Sequence, residues 1–297
     1  MKKIRLILFL IVWFSMFNIL KLVAQPLADA IAFKKAAWEN VKISKGLTWQ
    51  HFHFNNKQLF NSNQNINVLK VKNKNRKIRK MFVSAGDSLV LTSVLAQQNE
   101  ALAAVNGSFF DVKQGGAVDF IRIEGQILDT TRLTKGERTV HQKSAMAFTT
   151  NQLEILKADS ADLKWAGIDS KWDEKLDFSD VMVTGPLLLW QGENAPLSKI
   201  AFNDNRHPRT CACVTEKNDM ILMTVDGRTA ESQGVSLPEL TRLMKWLNCR
   251  DAINLDGGGS TTMYIQGRGV VNMPCDNKKF DHEGERKVSN IVVLKKR

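Results

Sequence analysis

The chain reads as an α+β protein, with a strand-rich mixed sheet and a few packed helices in a single main domain. Three observations predict this. Short apolar or alternating runs recur from Leu47 onward, at strand rather than helix length. Convincing helix signals are few. Three apolar runs end in polar-plus-glycine turns: Ala101-Leu-Ala-Ala-Val105 in Asn106-Gly107, Met220-Ile-Leu-Met-Thr-Val225 in Asp226-Gly227-Arg228, and Ala252-Ile-Asn-Leu255 in Asp256 and three glycines. Glycines bury nothing and cost backbone entropy, so Gly257, Gly258 and Gly259 are expected where backbone must approach another group closely or adopt positive φ.

Taken in order, residues Met1 to Arg5 form a basic segment before the apolar run Leu6 to Leu20, which is short for a bilayer span and reads as the core of a signal peptide. Cleavage after Ala24, or after Ala30 in the Ala28-Asp-Ala30 pattern, would give a periplasmic or secreted protein with no stable membrane insertion. Residues 25–45 are expected to be a helical appendage, from the helix-forming composition of Ala28 to Val41, and residues 46–297 the main domain. Strands are expected at Thr48–Phe54, Ile66–Val71 and Met81–Val83, and a short helix at Ser93–Glu100. Hairpins are expected around Glu124-Gly125 and Thr150-Asn151. The clearest helix starts at Ser236, where Ser236-Leu-Pro-Glu239 fits a capping box and Leu237, Leu240, Met244 and Leu247 share a face. Strand, helix and strand alternate only once, which argues against a doubly wound sheet.

Removing Lys2, Lys3, Arg5 and Lys21 with the leader lowers the net charge from +12 to +8. Much of the surplus lies in Lys70 to Lys80. Without interleaved aromatics or a nucleic-acid motif, that segment is read as a solvated face with an attraction to anionic polymers, and no nucleic-acid partner is expected. The four cysteines, Cys211, Cys213, Cys249 and Cys275, permit disulfides in an exported chain. Three pairings are possible; Cys211 and Cys213 would face the same side of one strand, where a direct bridge is strained, and Cys249–Cys275 is the expected bridge. The cysteine spacing does not suit zinc, and neither a metal nor a cofactor is expected.

The ordered motifs Ala103-Ala-Val-Asn-Gly-Ser-Phe-Phe-Asp111, Pro208-Arg209-Thr210, Thr224-Val-Asp-Gly-Arg228 and Asn254-Leu-Asp-Gly-Gly-Gly-Ser260 resemble the phosphodiester glycosidase family. Gly185-Pro186 and the closing Val288-Ser-Asn-Ile-Val-Val293 also fit. Where that family usually shows two glycines after the Asn, this chain has Gly107-Ser108. The resemblance implies hydrolysis of an α-glycosyl, N-acetylglucosamine-type 1-phosphodiester at the sugar C1–O bond, on surface or exopolysaccharide glycans, with a glycosyl-phosphate glycan as the binding partner.

The chemistry of that reaction assigns roles to the matching residues. A phosphate leaving group already accommodates negative charge, so cations and oriented N–H donors matter more than a strong general acid. Arg209 and Arg228 are the candidate phosphate ligands, with the amides of Gly257, Gly258, Gly259 and Ser260. An oxocarbenium-like transition state needs a carboxylate. Asp256 is read as base or nucleophile and Asp226 as a second acid/base or orienting group, with Asn106 and Asn254 orienting sugar hydroxyls or a carboxylate. Two other functions fit parts of the pattern: a noncatalytic glycan-binding protein of exopolysaccharide assembly, and a metal-dependent phosphodiesterase using Asp226 and Asp256 as ligands.

Overall fold

The computed structural model describes residues 25–72, 75–149, 152–158 and 171–297. The leader expected over residues 1–24 lies outside them, as does the Thr150-Asn151 turn. An eight-stranded sheet has the order Glu39–Ser44, Leu47–Leu59, Ser62–Val71, Met220–Val225, Arg209–Thr215, Cys249–Asn254, Leu187–Trp190, Glu193–Asn194. A five-stranded sheet runs Gly269–Val270, Met263–Ile265, Ala101–Asn106, Asn290–Lys296, Ile78–Ser84, and another runs Leu153–Lys157, Ser144–Phe148, Asp180–Val183, Ile121–Ile123, Gln126–Asp129. The strand-rich α+β architecture is the expected one, with one refinement: the described strands pair antiparallel. The Leu237–Trp246 helix does link two strands of the same direction, Met220–Val225 and Cys249–Asn254, but Arg209–Thr215 lies between them and pairs antiparallel with both.

Period-two alternation distributes these strands between two cores. Ala212, Val214, Leu222 and Ile253 face a central core that also receives Phe82, Val105 and Val292 from the second sheet and Met146 and Ile155 from the third. Cys211, Cys213, Ile221, Met223 and Val225 face the opposite way, under Leu237, Leu240, Leu243 and Met244 of the helix. Both faces of Met220–Val225 are therefore covered, which is why that segment is a continuous apolar run. Each fully buried leucine of the helix contributes roughly 1.5–3 kcal/mol.

The helix starts where its sequence says. Ser236 Oγ accepts from Glu239 N at 3.3 Å and Glu239 Oε2 accepts from Ser236 N at 2.9 Å. It ends as Asn248 enters the left-handed region at φ 59°, releasing the chain into Cys249–Asn254.

Two local expectations are overturned. Helix occupies only residues 25–35, and Glu39–Ser44 is instead an edge strand paired with Leu47–Leu59 across the Gly46 turn. Val41 and Ile43 pack on the central core and Phe33 is buried in the other, so tertiary burial outweighs the helix-forming composition of this segment. The bridge is Cys213–Cys249, with Cα atoms 5.9 Å apart on adjacent strands, while Cys211 and Cys275 are free and buried. A register shift between Val214 and Thr215 draws Cys213 toward Cys249, whereas Cys275 lies by Arg228 at the glycine turn.

Peptide mapping under non-reducing conditions is expected to recover the Cys213–Cys249 crosslink. The paired change to alanine is expected to cost about 2–4 kcal/mol in denaturant unfolding, while Cys275→Ser leaves the crosslink intact.

Candidate active site

The eight-stranded sheet brings the ends of Met220–Val225 and Cys249–Asn254 to the edge where Arg209–Thr215 begins, because that middle strand runs opposite to both. The second sheet adds Asn106. Its Nδ2 donates to the Asp256 carbonyl at 2.7 Å, and its Oδ1 accepts from Thr210 Oγ1 at 2.6 Å and Thr262 N at 3.2 Å. Asp256 N in turn donates to Gly107 O at 3.0 Å. Asn290, from the C-terminal strand, holds this turn through Gly107 N and Ser108 N. A Cβ on Gly107 would sit 2.0 Å from Asn290 Oδ1, so only glycine fits there.

The three glycines form a floor. A Cβ at Gly257 would lie 2.6 Å from Pro208 O, one at Gly258 2.9 Å from Arg228 Nη2, and one at Gly259 2.6 Å from Arg286 Nη2. Gly258 also has φ 61°, a region costly for side-chain-bearing residues. The amides expected to line an anion site are largely engaged within the chain. Gly257 N donates to Asp256 Oδ1, Gly258 N to Pro208 O and Ser260 N to Gly257 O. What the glycines provide is close approach for two guanidinium groups. Arg228 is exposed and itself left-handed at φ 67°; Arg286 is part-exposed and paired with Asp276.

Asp256 is part-buried beside these cations. Burial pushes its carboxyl up to about 6, against the opposing pull of the Ser260 hydroxyl, the Gly257 amide, the Arg286 guanidinium and the nearby His141. Asp226 is different. It is 1% exposed, and its carboxylate accepts from Asn65 Nδ2 at 2.8 Å, Asn272 Nδ2 at 2.7 Å and Met273 N at 2.9 Å. Burial raises its pKa and these three donors oppose the rise. Asn272 also donates to Thr261 O and accepts from Met263 N, so Asp226 anchors the exit of the glycine turn.

Arg209 and Asn254 are likewise committed to main chain. Arg209, 2% exposed, donates to the carbonyls of Val235, Phe202 and Asn205, with its guanidinium 5.0 Å from the Phe202 ring centre. Burial, with Arg228 nearby, lowers its pKa to about 10. Asn254 Nδ2 donates to Gly185 O at 2.8 Å and Leu255 O at 2.6 Å.

Three groups at the site have no clear mark in the sequence. Arg286 lies in a charged loop that reads as solvated surface. His141 stacks on Phe109 with ring centres 4.2 Å apart, and its Nε2 lies 3.4 Å from Oδ1 of the fully buried Asp119. Burial raises the Asp119 pKa, while His141 and Gln142 work against it. Cys275, a buried thiol whose pKa burial raises, is held partly down by the Arg228 guanidinium. The only local clue to His141 is Thr139-Val-His-Gln142, a capping box on a single turn. Among the described residues, no three His, Cys, Asp or Glu side chains converge as a metal site.

The phosphodiester glycosidase family profile matches residues 99–295. The bovine (Bos taurus) N-acetylglucosamine-1-phosphodiester α-N-acetylglucosaminidase is 33% identical over 87 residues, covering 29% of this chain and 16% of that protein. The SPbeta prophage-derived protein YomE of Bacillus subtilis (strain 168) is 31% identical over 68 residues, 23% of this chain and 11% of YomE. The matches thus span less than a fifth of the length of these curated relatives. Among solved structures, the catalytic domain of the zebrafish N-acetylglucosamine-1-phosphodiester α-N-acetylglucosaminidase superposes with TM-score 0.64 at 21% identity, covering 88% of this chain and 89% of that one. A hypothetical protein from Synechocystis gives 0.65 at 14%, covering 88% and 64%. At these identities the structural likeness is one of fold. With the family profile covering more than half of its residues, the chain belongs to the phosphodiester glycosidase family.

Proposed function

We propose that this protein is an exported glycosidase that hydrolyses an α-glycosyl 1-phosphodiester of the N-acetylglucosamine type, on surface or exopolysaccharide glycans, to free sugar and phosphomonoester. The observation that carries the reading is the Asp256 carboxyl at the head of a glycine floor that two guanidinium groups approach, Arg228 at Gly258 and Arg286 at Gly259. Export rests on the leader-like N-terminus; no described helix is long and apolar enough to cross a membrane.

Arg228, the exposed cation, takes the phosphoryl oxygens, and Arg286 adds positive charge from the neighbouring glycine. Asp256, ionised at neutral pH, serves the anomeric carbon as nucleophile or as base for water. The C1–O electron pair leaves with the phosphate, whose growing charge the two arginines stabilise. His141, held by Thr139, Asp119 and Phe109, borders the site and acts on Asp256 electrostatically rather than by contact. Asp226, Asn106, Asn254 and Arg209 are positioning residues: their hydrogen bonds lock the loops that carry Asp256 and Arg228.

Incubation with N-acetylglucosamine-α-1-phosphomethylmannoside in oxygen-18 water tests the reaction. Label on the sugar C1 oxygen is expected; label in phosphate would mean P–O cleavage and overturn the assignment.

Asp256→Asn is expected to lower kcat by about 10³-fold or more with the fold retained, and full activity would remove Asp256 from the mechanism. Because the working form is the carboxylate, kcat/KM of the wild type should fall as pH drops below about 6 and level off above it. The same raised pKa makes Asp256 favourable to folding when protonated. That contribution is fully present below the unfolded-state value near ~3.9 and is lost as pH rises through about 6. Asp256→Asn should therefore flatten stability over that window in pH-dependent denaturant titrations.

Arg228→Ala is expected to reduce kcat/KM by about 10–100-fold, the value of one charge-assisted hydrogen bond at ~1.5–3 kcal/mol. Arg228→Lys should recover only part of this, since an ammonium lacks the bidentate fork.

A further inference from the structure

A second cavity of about 600 Å³ opens where the third sheet meets the end of the eight-stranded sheet. Lys143 and Lys157 come from the third sheet's side, and Trp190, Glu193 and Asn194 from the other; Asn203 also lines it. We propose that this cavity is a subsite for an acidic sugar residue of the glycan that carries the scissile phosphodiester. The choice of ligand class rests on the glycosidase reading above; the subsite's binding does not require turnover.

The chemistry of the walls selects the ligand. Trp190 is part-exposed, and with the Lys157 ammonium over its ring a pyranose packing against this wall meets the indole and the Lys157 chain together. Lys157 Nζ lies 5.4 Å from the centre of that ring, so an ammonium and an indole border the same space. Asn203 is 1% exposed, its Nδ2 donates to Ser198 O at 2.7 Å, and its Oδ1 is buried with no hydrogen-bond partner. An unmet buried acceptor costs about 1–3 kcal/mol, and this one lies within the wall of the cavity rather than on its open face. The exposed Lys143 and Lys157 outnumber the one carboxylate, Glu193, among the cavity's lining residues, which favours a uronate or phosphate-bearing residue over a neutral one. A volume of this size accommodates about one to two sugar residues.

The cavity shares walls with the catalytic site. Val140 and Lys143 flank the His141-Gln142 turn, and Pro186 accepts from Asn254 N just before Leu255 and Asp256. Phe202, next to Asn203, places its ring 6.1 Å from Phe109, the ring stacked on His141. Two aromatic rings, Phe202 and Phe109, thus link the cavity wall to the imidazole of His141.

The test is calorimetric titration of the full chain with a hyaluronan hexasaccharide, which alternates N-acetylglucosamine with glucuronate, against neutral chitohexaose. The acidic oligosaccharide is expected to bind at least about tenfold more tightly at low salt. Lys143→Gln with Lys157→Gln should abolish that preference. Trp190→Ala should weaken both ligands by about fivefold or more, with Trp190→Phe retaining most of the affinity. All three variants should hydrolyse the small phosphomethylmannoside within about twofold of wild type. Equal affinity for the two oligosaccharides, no binding, or unaltered binding by the double lysine variant or by Trp190→Ala would overturn the subsite. Failure of the wild type to hydrolyse the small substrate while acidic binding and its loss in the variants persist would overturn the glycosidase reading alone.

Discussion

The site depends on one junction between sheets, where Asn106 Nδ2 holds the Asp256 carbonyl and Gly107 O receives the Asp256 amide. Asn106 and Asp256 are 150 residues apart and belong to different sheets. With both main-chain groups of Asp256 fixed, its carboxyl has little freedom to swing away from the cations. Asn106 is fully buried and its own acceptor is met twice, so shortening the side chain would strand several polar groups away from water. The Asn290 clamp on Gly107 and Ser108 extends the arrangement to the C-terminal strand.

Electrostatics at the site are a balance rather than a simple attraction. Burial disfavours the Asp256 carboxylate, and Arg286, His141 and nearby donors recover part of that loss, leaving a carboxyl that titrates near 6. The cations are kept close by the absence of side chains at Gly258 and Gly259. A Cβ at Gly258 would displace the Arg228 guanidinium, one at Gly259 the Asp276–Arg286 pair, and at Gly257 it would meet the unyielding Pro208 carbonyl. Backbone space and charge placement are thus one constraint expressed twice.

Much of the scaffold was legible because its signals are local. The Ser236–Glu239 capping box, the Glu124-Gly125 hairpin and the apolar runs ending at Asn106, Asp226 and Asp256 each reflect short-range geometry that survives in the structure. The residues around Asp256 were only partly legible. Arg209 and Arg228 carry the same charge at the same sheet edge, one opening a strand and the other following one, yet one is buried against three carbonyls and the other stands exposed over Gly258. Nothing within a few residues of either distinguishes them.

By itself, the sequence determined where strands and the main helix form, which turns need glycine, and which family's ordered motifs the chain carries, because these follow from backbone sterics, side-chain periodicity and local capping. Tertiary structure alone decided that Cys213 rather than Cys275 meets Cys249, that Glu39–Ser44 joins a sheet, and that Arg286 and His141 come within electrostatic range of Asp256. Those outcomes are set by strand register and by the packing of three sheets on one core, contacts between segments far apart in the chain that no local pattern encodes.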